Sequence, residues 1–259
     1  MKCFTLFAGV RVGLLLIALC GLAGTGHAQP KTDSAELPGP KKNLTVDLGG
    51  GVTMQLALIR PGSFTMGDKS GRKVTITKPF YMGKYEVTQE QWERVMGSNP
   101  SNFKGAKNPV EQVSWDDCQN FITKLKEKVP GNQFSLPTEA QWEYACRAGT
   151  ATDPGNWDEV AWYSNNSGSK THPAGEKKPN AWGLYDMHGN VWEWCQDWYG
   201  DYSTNAETDP VGPSSGSYRV VRGGSWFNFA TYCRSACRCY GVPSDRCYGF
   251  GVRVVVGVR

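Results

Sequence analysis

Between residues 148 and 183 the sequence loses hydrophobic periodicity and turns to Gly, Pro, Asn and Ser. A stretch of that length inside a compact domain is usually functional or is held in place by something else. The segments around it are short. Residues 52–59 alternate and read as a strand, and 63–66, 73–77, 80–85, 191–198 and 218–222 read as further strands, with a closing strand over 250–258. Thr88 opens a helix in a capping-box pattern with Gln91, carrying Trp92, Val95 and Met96 as its apolar stripe. Ser114 caps a second helix over Trp115–Lys128, which Pro130-Gly131 ends, and Thr138 caps a third over Glu139–Arg147. Few helices, many short strands and long loops predict an α+β fold. The 31 glycines, 10 tryptophans and 11 tyrosines suit loops packed on aromatics rather than a helical bundle.

The first 28 residues read as a signal peptide. Lys2 and Arg11 form a basic start, residues 12–23 are apolar but too short to span a bilayer, and Gly26-His27-Ala28 offers a cleavage site before Gln29. Residues 29–44, rich in proline and charge, read as a disordered linker, leaving 45–259 as one domain with a sizeable core. The expected product is soluble and secreted or periplasmic, with no membrane span. Removing Lys2 and Arg11 leaves 26 basic against 24 acidic residues, and no basic stripe interleaves with aromatics, so nucleic acid is not an expected partner. Only His172 and His188 survive cleavage, which excludes a metal site built from several imidazoles, and neither accompanies a nucleophile elbow.

Seven blocks then fall in order: PGSFTMG at 61–67, YEVTQ at 85–89, VSWD at 113–116, LPTEAQWEYA at 136–145, GLYDMHGNVWEW at 183–194, RGGSW at 222–226 and GVR at 251–253. Together they resemble the formylglycine-generating-enzyme, or sulfatase-modifying-factor, family across residues 55–255. That resemblance implies a loop-rich variant of the C-type lectin fold. It fixes the fold more firmly than the activity, because the family holds copper oxidases, iron-dependent relatives and noncatalytic ligand-binding proteins.

Asp186, Gly189, Val191 and Glu193 sit within eight residues. Their two carboxylates and two carbonyls are hard oxygen donors that suit Ca2+. The resemblance implies a calcium ion at these four positions. The alternative is that both carboxylates simply hold the loop through backbone amides. A second family calcium site near Asn165 and Asn166 lacks an aspartate here. Trp182, Trp192, Trp194 and Trp198 cluster around the turn and are expected in the core.

Seven of the nine cysteines lie beyond the signal peptide. Cys118, Cys146, Cys195 and Cys233 fall in framework blocks and are expected to be structural. An oxidising compartment favours pairing, and Cys118 with Cys146 and Cys195 with Cys233 is one arrangement among several. In the oxidases of the family, two cysteines separated by four residues hold Cu(I), since soft thiolates select that ion. Here Cys233 stands at the family position, but Arg238 occupies its partner's place, and Cys237 and Cys239 flank it. A one-residue slip on a strand turns a side chain to the opposite face.

The segment 226–249 alternates a scaffold (Trp226, Ala230, Cys233, Arg234, Ser235, Ala236, Arg238, Pro243, Arg246) with Phe227, Phe229, Tyr232, Cys237, Cys239, Tyr240, Gly241, Val242, Ser244, Asp245, Cys247 and Tyr248. Each interspersed residue can be reached from an asparagine codon by changing adenines alone, and Lys, Glu, Gln and Met are absent. This resembles the variable region of proteins diversified by adenine-mutating retroelements. Rigid aromatics with small polar neighbours suit binding of a protein or peptide ligand. The leading expectation is therefore a secreted ligand-binding member with its contact surface over 227–248. The alternative is a copper- and oxygen-dependent oxidase that converts a sulfatase cysteine to formylglycine through Cys233 and Cys237 or Cys239.

Overall fold

The computed structural model describes residues 42–68 and 71–258. The expected signal peptide and most of the linker lie outside these residues. The linker's end is corrected: Asn43 and Leu44 already belong to β1 (Asn43–Asp47), which pairs antiparallel with β2 (Thr53–Ile59). After β3 (Gly62–Met66), β4 (Arg72–Ile76) and β5 (Phe80–Gly83) come α1 (Gln89–Met96), α2 (Trp115–Lys128), β6 (Phe134–Ser135) and α3 (Glu139–Arg147). All three helices begin where the hydroxyl caps predicted. Thr88, Ser114 and Thr138 each accept from the third helical residue, whose side chain returns a bond to the cap, so two orphan amides are satisfied at each start.

The aperiodic stretch contains only α4 (Trp157–Val160) and β7 (Ala161–Trp162). It is tied to the body by β8 (His188–Gly189), which runs parallel to β7. Next come β9 (Trp192–Trp198), β10 (Glu207–Thr208), β11 (Arg219–Arg222), β12 (Arg238–Gly241), β13 (Phe250–Gly251) and β14 (Val255–Gly257). The expected closing strand over 250–258 is in fact two strands in different sheets. β13 pairs with β9, whereas β14 pairs with β5 and β6. The chain breaks at Val252-Arg253-Val254 because the Arg253 guanidinium turns inward to an acidic partner, described below.

Two sheets matter for function. The order β1-β2-β5-β14-β6 forms the first, and β12-β11-β9-β13 forms the second. Side chains alternate across the second sheet. On one face Trp194, Val221 and Phe250 join a core with Trp92 and Phe121, whose rings stack 4.8 Å apart. On the other, Cys195 and Val220 join a second core with Trp142 and Met187. Trp192 and Trp194 are buried as expected.

No disulfide joins the framework cysteines, so the pairing of Cys118 with Cys146 and of Cys195 with Cys233 is not formed. Cys118 and Cys146 lie in separate cores, as do Cys195 and Cys233. Among the described residues, no helix is long and apolar enough to cross a membrane.

Candidate functional site

The expected calcium residues come together at the turn leading from β8 into β9, and Glu193 also serves other partners there. Asp186 adopts a left-handed backbone, φ 55°, which aims its buried carboxylate back at the 172–176 loop. Its Oδ2 accepts from the Gly175 amide at 2.7 Å, while its Oδ1 is buried with no hydrogen-bond partner. Gly189 is required by packing, since a Cβ there would lie 2.1 Å from the Trp162 carbonyl oxygen. The Val191 amide donates to Glu86 Oε1 at 3.1 Å. Glu193 has turned to Arg253, with contacts of 2.6–3.0 Å, and also accepts from Trp142 Nε1 at 2.7 Å.

Sequence reading missed Glu86 and Arg253. Both lie in blocks that carried the family resemblance, but a pairing across such sequence separations leaves no local signal. Glu86 is wholly buried, and its carboxyl is pushed well above the usual range, first by burial and then by Asp186 and Glu193, against Arg253. Burial likewise pushes the Asp186 carboxyl up to about 6. Three buried carboxylates thus face one guanidinium. An orphaned carboxylate oxygen in such a cluster fits one hard cation beside Asp186. Both Glu193 oxygens are already engaged. No group of three or more His, Cys, Asp or Glu side chains converges on a metal position among the described residues.

The copper pair fits less well. Cys233 is buried, its thiol pushed up to about 12, mainly by burial. A protonated thiol is a poor ligand. Arg238, at the position the resemblance gives to the second thiolate, instead donates to both carboxylate oxygens of Glu139, at 2.6 and 2.9 Å. Cys239 lies on β12 opposite Val221, and together with Cys237 it packs against the core that holds Trp194, whereas Cys233 packs with Ala161 and Tyr163.

The segment 226–249 is where the arrangement is most regular. The framework holds it largely by its main chain. Arg222, fully buried and paired with Glu143, donates to the carbonyls of Ser235 at 2.7 Å, Cys237 at 2.9 Å and Ala236 at 3.3 Å. His188 Nδ1 meets the Cys233 carbonyl at 2.7 Å, and burial lowers its pKa, so the neutral ring carries its proton there. The amides of Asp116 and Gln112 donate to the carbonyls of Pro243 and Cys247. Trp226 Nε1 donates to the Tyr248 carbonyl at 2.9 Å.

The scaffold side chains are anchored too. Arg234 pairs with Asp68 at 2.5 Å and Arg246 with Asp117 at 2.8 Å. The interspersed side chains behave differently. Phe229 is 67% exposed, Tyr248 50%, Val242 40% and Tyr240 37%, while Ser244 and Asp245 are exposed as well. Phe227, Tyr232, Cys237, Cys239 and Cys247 are half-buried beneath them. Main-chain anchoring is indifferent to side-chain identity, so the exposed positions can change with little penalty, whereas Tyr232, Cys237, Cys239 and Cys247 pack against the first core.

The sulfatase-modifying factor enzyme 1-like domain model matches residues 51–258. The chain is 34% identical over 232 residues to chaperone protein LppX of Paenibacillus barcinonensis, covering 68% of this chain and 79% of that protein. It is 31% identical over 229 residues to the formylglycine-generating enzyme of Streptomyces coelicolor, covering 79% of this chain and 68% of that one. Among solved structures, Treponema denticola variable protein 1 superposes with a TM-score of 0.79 at 34% identity, covering 85% of this chain and 100% of its own. PvdO from Pseudomonas aeruginosa gives 0.73 at 27% identity, covering 85% of this chain and 100% of its own.

Proposed function

Because the chain belongs to the sulfatase-modifying factor enzyme 1-like family, we propose that it is an exported, ligand-binding member of that family whose contact surface is the exposed face of residues 227–248. One observation carries the reading: the framework grips this segment through its carbonyls and scaffold arginines, while Phe229, Tyr240, Val242 and Tyr248 stand in solvent. Exposed aromatics of this kind supply rigid contact area at low entropic expense. The similarity to a solved variable protein supports the same reading. On this view Cys237, Cys239 and Cys247 are products of variation rather than reagents, and the ligand is a protein or peptide. A calcium ion at Asp186 would act structurally, since Asp186 and Gly189 hold the turn that leads into β9.

Two measurements test the reading. Purified protein supplied with copper, oxygen and a sulfatase-type cysteine peptide is expected to form no aldehyde by mass spectrometry; stoichiometric conversion would make it an oxidase. On an array of purified extracellular proteins, binding should vanish in a Phe229→Asp/Tyr248→Asp variant whose melting temperature is unchanged. Binding that survives this change would place the ligand elsewhere. For diversification, the encoding DNA should hold a near-copy of the tail's coding segment beside a reverse transcriptase gene.

A further inference from the structure

β12 is an edge strand: β11 lies on one side of it, and no described strand lies on the other. In an antiparallel pair, the main-chain groups of alternate residues point away from the partner. An edge of this kind is a template for another strand. Most edges are protected by charge, proline or a covering loop. Here the charge of Arg238 is turned to Glu139 and Pro243 comes only after the strand, so the edge itself carries Cys239 and the exposed Tyr240 and continues into the exposed Val242.

The edge borders a fixed aromatic platform. The Tyr240 ring lies 4.8 Å from Tyr218 and 4.6 Å from Tyr199, both outside the variable segment. Tyr218 is 42% exposed. At the start of the strand, Arg238 stacks on Tyr199 and Tyr202, with its guanidinium carbon 4.6 and 3.9 Å from the ring centroids. Arg238 also lines a cavity of about 510 Å3 beside the platform. That cavity is acidic. Arg72 and Arg238 pair with Glu207 and Glu139. Asp197, Asp201 and Asp209 remain on its wall, with no ion pair to a basic side chain among the described residues. Burial pushes the Asp197 carboxyl up to about 7, with the Glu139 charge adding to it and the Glu139 amide and Arg238 opposing it. Arg72 also lines the cavity; it is nine-tenths buried, and its Nε is buried with no partner.

Taking the tail as the binding surface, we infer that its ligand is an extended peptide segment that adds as a strand to the outer side of β12 and places a lysine or arginine in the acidic cavity beside Arg238. Main-chain pairing supplies affinity without regard to sequence. The alternate side chains of the peptide meet Tyr240 and the Tyr199–Tyr218 platform. A basic side chain meets the exposed Asp201 and Asp209. The face thus has a constant half, set by the framework, and a variable half, set by residues such as Tyr240 and Val242.

The test is a selection of displayed random linear peptides on the full-length protein. Enriched peptides are resynthesised with single N-methylated amides. Strand addition predicts that affinity falls about tenfold or more at every second residue and holds at those between. It also predicts enrichment of Lys or Arg at one fixed position, and about tenfold weaker binding to a Tyr218→Ser or Asp201→Asn variant. Enriched peptides that lose binding on Phe229→Asp/Tyr248→Asp but lack the alternation would overturn strand addition and leave the tail reading standing. Peptides indifferent to both sets of changes would overturn both. A selection that enriches nothing would overturn strand addition, with the tail reading then judged by the protein array.

Discussion

Arg222→Met is the substitution that most directly probes how the 226–249 segment is held. Arg222 is fully buried and satisfies the wholly buried Glu143 together with the three carbonyls of Ser235, Ala236 and Cys237. Methionine fills much of the volume but carries no charge. Glu143 keeps Arg147 at 2.7 Å, which softens the loss. Breaking one partner of a buried ion pair costs about 3–5 kcal/mol, because the other charge is left in a low-dielectric interior. The freed carbonyls each add a desolvation penalty of about 1–3 kcal/mol unless water reaches them. With the Arg147 pair retained, the expected loss is about 4 kcal/mol, or a fall in melting temperature of about 8–16 °C for a domain of this size. By contrast, Phe229→Ser, Val242→Ser and Tyr248→Ser should each stay within about 0.5 kcal/mol, since their side chains stand in solvent. Urea unfolding at neutral pH separates the two classes, provided the slope with denaturant is unchanged. The reasoning fails if Arg222→Met costs less than about 1 kcal/mol, or if the triple serine variant loses as much as Arg222→Met does.

Further outcomes follow from other sites. The Asp197 carboxyl is raised to about 7, so the folded state keeps a proton that the unfolded state releases near 3.8. Relative to Asp197→Asn, the protein should lose about 4 kcal/mol of stability as pH rises from about 4 to about 7, and no more above that. A difference that stays flat with pH would refute the assignment. Millimolar calcium should raise the melting temperature over a chelator control, and Asp186→Asn should abolish the rise; no shift in the parent protein would remove calcium from the site. Gly224→Ala should cost more than about 1 kcal/mol, because its φ is +77° and a Cβ would lie 2.6 Å from Cys233 Sγ. An unchanged unfolding midpoint would show that the Cys233 turn yields easily. Competitive titration should detect no tight stoichiometric Cu(I) binding, and one equivalent bound would restore Cys233 as a ligand.

The sequence carried the local rules well. Thr88, Ser114 and Thr138 announce helices because a cap needs only residues three apart, and the exposed tail was marked by its interspersed residue types. What it hid was non-local. β7, β8 and β10 are two residues long and exist only through distant partners, so no periodicity marks them. The break between β13 and β14 looked like one alternating strand, because nothing near Arg253 shows that Glu193 will claim it. The bond from Arg253 to Glu193 is equally silent, since the two residues lie sixty positions apart. The edge position of β12 and the Tyr199–Tyr218 platform depend on sheet order, which the sequence does not encode locally.

β14 sits between β5 and β6, with Val256 opposite both Tyr81 and Phe134. The first sheet to leave the ribosome therefore waits for one of the last strands before β5 and β6 are joined. Such high-separation contacts make folding slow and late, because loop-closure entropy is lost before any pairing is gained. Until residue 257 has been synthesised, β5 and β6 lack the strand that joins them. The same topology tethers the 226–249 segment at both ends, to β11 before it and β13 after it, so a change in its exposed residues can loosen a loop without unzipping the domain.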